Sequence, residues 1–185
     1  MNPSQKLFLA CGLMGAFAGI IAFALATSLL SGGTGAVFRD YYASETAVSV
    51  SPNDYLYSFR TGGQPGTLVD LRTAEEYDDG HMATAINIPA GQMDSDQITA
   101  AFSKLPKGST PITYCYSSYC MLSRKVGKTL ADNGIYAKHL TAGWLEISRD
   151  YGEYVVSGTA PGSLSFSQSA NPLICDPTNG EEFGC

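Results

Sequence analysis

The chain has 185 residues, of which 44% are hydrophobic and 15% charged, with a formal net charge of −6. That length accommodates one ordinary globular domain and an extra segment but excludes two large domains. The acidic balance disfavours nucleic acid or an anionic lipid surface as a partner.

Leu7–Leu30 contains no charged residue. At 1.5 Å per residue a helix over this run reaches about 36 Å, more than the ~30 Å hydrocarbon core of a bilayer. Residues 1–30 therefore predict an N-terminal transmembrane helix retained as an anchor. The competing reading is a secretory leader, with Lys6 as its basic region and Ala24-Leu-Ala26 as its cleavage box. A leader's apolar core is usually about 7–15 residues, and this run passes through the box. Lys6 and the free amine precede the run and the next basic residue is Arg39, which predicts a cytoplasmic amino end and a soluble domain outside the membrane, periplasmic or equivalent, where disulfides persist. Gly15, Gly19, Ala22 and Ala26 form a small-residue seam on which another helix could pack, making subunits of a membrane complex candidate partners. Small residues are also common in such helices without a partner.

Residues 31–46 read as a linker, with Ser31-Gly-Gly-Thr-Gly35 as a flexible joint. A β/α rhythm follows over 47–152. Ser51-Pro52 opens a helix toward Phe59. Gly62–Gly66 breaks it, and Thr67–Leu71 is a short apolar strand. Thr73-Ala-Glu-Glu76 is a capping box for a brief helix that Gly80 stops. Asp94 or Ser95 caps a helix running to Leu105. Pro111–Cys115 is a strand, and a helix follows Met121 with Leu122, Val126 and Leu130 as its inward stripe. Asn133-Gly134 ends that helix, Ile135–Leu140 is a strand, and Trp144–Tyr151 is a last helix. This alternation predicts an α/β fold with a parallel sheet covered on both faces and active groups at the carboxyl ends of its strands. Residues 153–185 read as a loose tail, within which Cys175 and Cys185 flank a Pro and Asn-Gly turn and are candidates for a disulfide. The acidic residues between them read as a solvated turn, and no metal or cofactor is expected.

The chemistry gathers at Cys115-Tyr-Ser-Ser-Tyr-Cys120, a loop between a strand and a helix. Taken alone, a cysteine there is more often a buried packing residue. The amides of residues 116–120, with the positive end of the following helix, nevertheless predict a thiolate or persulfide anion at Cys115. Cys120 could resolve an oxidised or persulfidated Cys115, although a bridge needs Cα atoms within about 7 Å and a loop coiled around Cys115 would turn Cys120 outward. Arg124, Lys125 and Lys128 either draw in anionic donors or form a solvated face.

Leu68-Val-Asp70-Leu-Arg72, Thr73-Ala-Glu75-Glu76-Tyr77, Gly80-His81 and Ala85-Ile-Asn87-Ile-Pro89 precede this loop, and Leu140-Thr-Ala-Gly143-Trp144 follows it. In that order they resemble the rhodanese-like sulfurtransferase family over Ala47–Tyr151. The resemblance implies a rhodanese-like parallel sheet flanked by helices. It makes Cys115 the thiol that takes a sulfane sulfur from a small donor and passes it to an acceptor such as a protein thiol, with Cys120 as a second catalytic candidate. Tyr116, Ser117, Ser118 and Tyr119 become the substrate-binding loop, and Asp70, Arg72, Glu76 and His81 structural supports. A six-residue loop is the sulfur-handling length in that family. Three positions depart from its pattern: Ser118 and Cys120 replace a glycine and an arginine, and Ala142 replaces the first glycine of Gly-Gly-Trp. Ser118 is expected to strain a backbone that glycine adopts freely, and the missing arginine removes a forked donor for an anion such as thiosulfate. Exchange with a thiol substrate survives these changes. The alternative is a rhodanese-like module without turnover, an accessory or docking subunit of a membrane complex.

Overall fold

A computed structural model of the chain describes residues 2–30 and 34–166, without the side chains of 6–13, 16–17, 28–30 and 34. The chain divides into two compact units, residues 1–45 and 46–185.

Helix α1 (Pro3–Leu30) lies in the first unit, and α2 (Thr34–Val48) runs from it into the second. Among the described residues no helix is long and apolar enough to cross a membrane. The structure therefore lends no support to the transmembrane helix expected over Leu7–Leu30, and several side chains of that run lie outside the described residues. Residues 34–46, expected to be linker, are helical in α2. Between Gly35 and Val48 this stretch contains neither glycine nor proline, so nothing breaks the helix.

The second unit runs β1 (Ser49–Val50), α3 (Pro52–Arg60), β2 (Thr67–Asp70), α4 (Ala74–Asp79), β3 (His81–Met82), β4 (Ile86–Asn87), α5 (Ser95–Phe102), β5 (Pro111–Tyr114), α6 (Leu122–Asp132), β6 (Lys138–Leu140), α7 (Trp144–Asp150) and β7 (Val155–Val156). Its main sheet has the order β1-β6-β5-β2-β4, and every pairing in it is parallel. The expected α/β architecture is thus present, with a small antiparallel β3–β7 ribbon beside it.

Side-chain alternation along the strands builds two cores. Leu68, Ile112 and Tyr114 join Tyr55, Leu56, Met82 and Ile147 in one. Val69, Leu71 and Cys115 join Ile98, Phe102, Val126 and Leu130 in the other. All four residues of β5 are buried, as befits a central parallel strand covered on both faces.

Local signals set the helix starts. The Ser51 hydroxyl accepts the Asp54 amide, and Thr73–Glu76 and Asp94–Gln97 close reciprocal capping boxes. Strand β6 begins three residues later than expected, because the Ile135 amide donates to the Leu130 carbonyl and belongs to the closing turn of α6. The start of the tail is docked instead of loose. Beyond the β3–β7 pairing, the Thr84 amide donates to Pro161 at 2.6 Å. Leu164 and Phe166 pack against the first core, and the Phe166 ring meets both Tyr154 and the Arg60 guanidinium. The expected Cys175–Cys185 bridge lies outside the described residues.

Candidate functional site

β5 delivers Cys115 at its carboxyl end, and α7 fixes the loop that follows. The Cys115 carbonyl accepts the Trp144 amide at 2.7 Å, and the Tyr116 carbonyl accepts the Leu145 amide at 2.9 Å. Gly143 lets the two segments touch: a Cβ there would stand 2.3 Å from the Ser117 nitrogen. Glu146 then clasps the loop, accepting the Ser118 amide at 3.1 Å, the Ser118 hydroxyl at 3.0 Å and the Gly143 amide at 2.9 Å. On the other side the Tyr116 hydroxyl donates to Glu76 at 2.8 Å. The Cys120 amide donates to the Ser117 carbonyl at 3.0 Å, closing a turn, while Tyr119 is 90% exposed. The strain expected at Ser118 is absent. Among the described residues Thr84, at φ +76°, is the non-glycine residue in the left-handed region.

The two thiols differ. Cys115 is 2% exposed and belongs to the second core. Its sulfur accepts the Ser123 hydroxyl at 3.4 Å, and its thiol faces the Cys120 carbonyl at 3.7 Å. Burial, followed by donation to Cys120, pushes the Cys115 thiol above its ordinary value despite the hydroxyl and amide of Ser123. Cys120 is only partly buried, and it moves the other way. Burial alone would raise it, but the Cys115 thiol and the amides of Leu122, Tyr116 and Ser117 outweigh that and hold it below its ordinary value. The lowered thiol expected at Cys115 is found at Cys120 instead, and Cys120 packs against the core that contains Cys115.

Asp70 and Arg72 are buried and paired at 2.6 Å. The guanidinium also donates to the Gly80 carbonyl and lies 4.2 Å from the centre of the Trp144 ring, so the pair ties β2, the end of α4 and the start of α7 together. Glu76 binds Tyr116 and closes the α4 box. His81 is fully buried and stacked on Tyr77 at 3.6 Å, with its ring nitrogens at the carbonyls of Tyr77 and Ala160. It is therefore engaged away from the thiols. Arg124 and Lys128 line a cavity of about 300 Å³ with Val48, Tyr136 and His139, and Ser123 is part of its wall. Lys128 also pairs with Asp132 at 2.5 Å. Among the described residues no group of three or more His, Cys, Asp or Glu could hold a metal ion.

Sequence reasoning missed Ser123 and Glu146, and it singled out Gly143 only as part of the motif ending in Trp144. Ser123 carried a signal, being a polar residue beside the apolar stripe of Leu122, Val126 and Leu130, one turn after the loop. Glu146 stood three residues after Gly143, the spacing of a helix-capping carboxylate.

Residues 53–150 match the model of the rhodanese-like domain. Over 80 residues the chain is 35% identical to an HTH-type transcriptional regulator, Rv0324, of Mycobacterium tuberculosis, covering 43% of this chain and 33% of that protein. The chain thus spans about a third of the length of this curated relative. The crystal structure of the BH2092 protein from Bacillus halodurans superposes with a TM-score of 0.55 at 26% identity, over 72% of this chain and 94% of that one. That of a full-length protein from Lactobacillus plantarum gives 0.54 at 13% identity, over 67% and 99% respectively, and shows likeness of fold alone. With more than half its length matched by the family model, and with a parallel sheet that delivers a cysteine loop at the carboxyl end of its central strand, the chain belongs to the rhodanese-like domain family.

Proposed function

We propose that the protein handles sulfur through Cys115 and Cys120, accepting a sulfane sulfur from a small donor or exchanging a disulfide with a thiol partner. The observation that carries this reading is the placing of two free cysteines in the loop after β5, with the Cys115 thiol facing the Cys120 carbonyl at 3.7 Å. A persulfide formed on either sulfur would have the other within reach. Small anionic donors fit poorly, because the loop has no arginine and the Glu76 and Glu146 carboxylates bind it from two sides. A neutral organic polysulfide or disulfide suits this site better than thiosulfate does. Tyr116, Ser117, Ser118 and Tyr119 form the rim that such a substrate would cross.

Incubating the full-length protein with polysulfide and measuring intact mass tests the reading. With Cys11, Cys175 and Cys185 replaced by serine, the expected result is a gain of one sulfur atom in Cys115→Ser or Cys120→Ser that disappears when both are replaced. Absence of both a sulfur gain from polysulfide and a Cys115–Cys120 disulfide after exposure to a disulfide would favour the second reading, a rhodanese-like docking module without turnover. The burial of Cys115 and the capture of the Ser118 amide by Glu146 are the observations that favour it.

The proposal also includes an anchor. Leu7–Leu30 is free of charge, and the helix containing it runs the full Pro3–Leu30. In this reading residues 1–30 hold the protein in a membrane with the domain on the extracytoplasmic side, and Gly15, Gly19, Ala22 and Ala26 offer the face on which a membrane-complex subunit would pack.

A further inference from the structure

We infer that Cys120 is the thiolate that attacks first and that Cys115 is the resolving thiol, with a neutral disulfide as the substrate class. The inference rests on the sulfur-handling reading above and assigns its order of events. Position is the first support. Cys115 is 2% exposed and packed in the second core, so an incoming sulfur cannot reach it without displacing the loop. Cys120 is partly exposed, sits between Tyr119 at 90% exposure and Met121 at 54%, and is the more accessible of the two cysteines.

The second support is the placing of the donors. The Cys115 thiol faces the Cys120 carbonyl at 3.7 Å, an arrangement that keeps the proton on the inner sulfur, while the Cys120 thiol is held below its ordinary value. Ser123, by its hydroxyl and its amide, is the group placed to stabilise Cys115 once that proton has gone.

The reaction then balances as follows. The Cys120 thiolate attacks one sulfur of a disulfide RS–SR′, the S–S bond breaks, and R′S⁻ departs, leaving Cys120 in a mixed disulfide with RS. The departing R′S⁻ takes the Cys115 proton. The Cys115 thiolate, held by Ser123, attacks the Cys120 sulfur and expels RS⁻. The substrate disulfide gains two electrons and becomes R′SH and RS⁻, while the cysteine pair is oxidised to a disulfide.

Full-length protein with Cys11, Cys175 and Cys185 replaced by serine, treated with dithiodipyridine and mapped by mass spectrometry, tests the order. With Cys115→Ser, and with Cys115→Ala as a second variant that introduces no buried hydroxyl, the thiopyridyl adduct is expected to accumulate on Cys120. With Cys120→Ser, the adduct on Cys115 is expected to form at least about tenfold more slowly. With both cysteines present, the product is expected to be their disulfide. Adduct formation on Cys115 at an undiminished rate in Cys120→Ser, in protein with native near-UV circular dichroism, overturns the order but leaves the sulfur-handling reading intact. Failure of both sulfurs to react with dithiodipyridine or polysulfide in natively folded protein overturns both.

Discussion

Glu146 binds three donors from two segments, and it holds the Ser118 amide away from both sulfurs. Burial alone would raise Glu146, but the Gly143 amide and the Ser118 hydroxyl and amide hold it below its usual range. Glu76 is likewise lowered, by Tyr116, Thr73 and Arg72 acting against burial. A carboxylate with a depressed folded-state value contributes stability that is fully present above its unfolded value near 4.5 and is lost as pH falls through the lower folded value. Stability of the domain should therefore decline below about pH 4.5, and Glu146→Ala should flatten that decline while costing about 1–3 kcal/mol at neutral pH. Urea unfolding followed at several pH values measures both. The same variant should slow alkylation of Cys120 at neutral pH, because the turn that orients its amide donors loses its clasp. Unchanged alkylation would show that the loop holds its shape without Glu146.

The junction between the loop and α7 depends on one missing side chain. Gly143 has φ −112° and ψ −169°, an extended conformation open to any residue, so only space forbids substitution. Gly143→Ala places a methyl against the Ser117 backbone at 2.3–2.6 Å, and neither backbone can yield without breaking the Trp144-to-Cys115 and Leu145-to-Tyr116 hydrogen bonds. The variant should lose on the order of 1–3 kcal/mol in urea melts, and Cys115 should become accessible to alkylation. By contrast Gly127→Ala, where an added methyl meets nothing within 4 Å, should be neutral or slightly stabilising. These elements were unequally legible in the sequence. Capping boxes at Thr73 and Asp94, the apolar run of β5 and the helix after Met121 could be read because each depends on neighbours a few residues apart. The short strands β1, β3, β4 and β7 and the docking of Phe166 could not, since each exists through partners far along the chain. The site divided in the same way. Cys115 and Cys120 were visible as a pair, but the loop that holds them is clasped by a glutamate from α7, and no loop pattern encodes that.

The two compact units, residues 1–45 and 46–185, invite a separation of anchoring from chemistry. Both hydrophobic cores, the Asp70–Arg72 pair and the thiol loop are built from residues after Thr46, so a chain beginning there retains the contacts described for the site. Residues 1–30 contribute a 28-residue helix, which at 1.5 Å per residue extends about 42 Å, and Lys6 is their sole charged side chain. If that helix spans a bilayer, full-length protein expressed in cells will remain in the membrane pellet after an alkaline carbonate wash. The chain beginning at Thr46 will be found in the supernatant with an unchanged urea midpoint and the same order of cysteine reactivity. Recovery of the full-length protein in the carbonate supernatant would remove the anchor from the proposal and leave the dithiol chemistry unaffected. Protease added to intact spheroplasts then decides sidedness: cleavage of the domain places Cys115 and Cys120 in an oxidising compartment, where the pair would rest as a disulfide and act on thiols. Protection would place it among reducing thiols, where the attack by Cys120 on a substrate disulfide is the favoured direction.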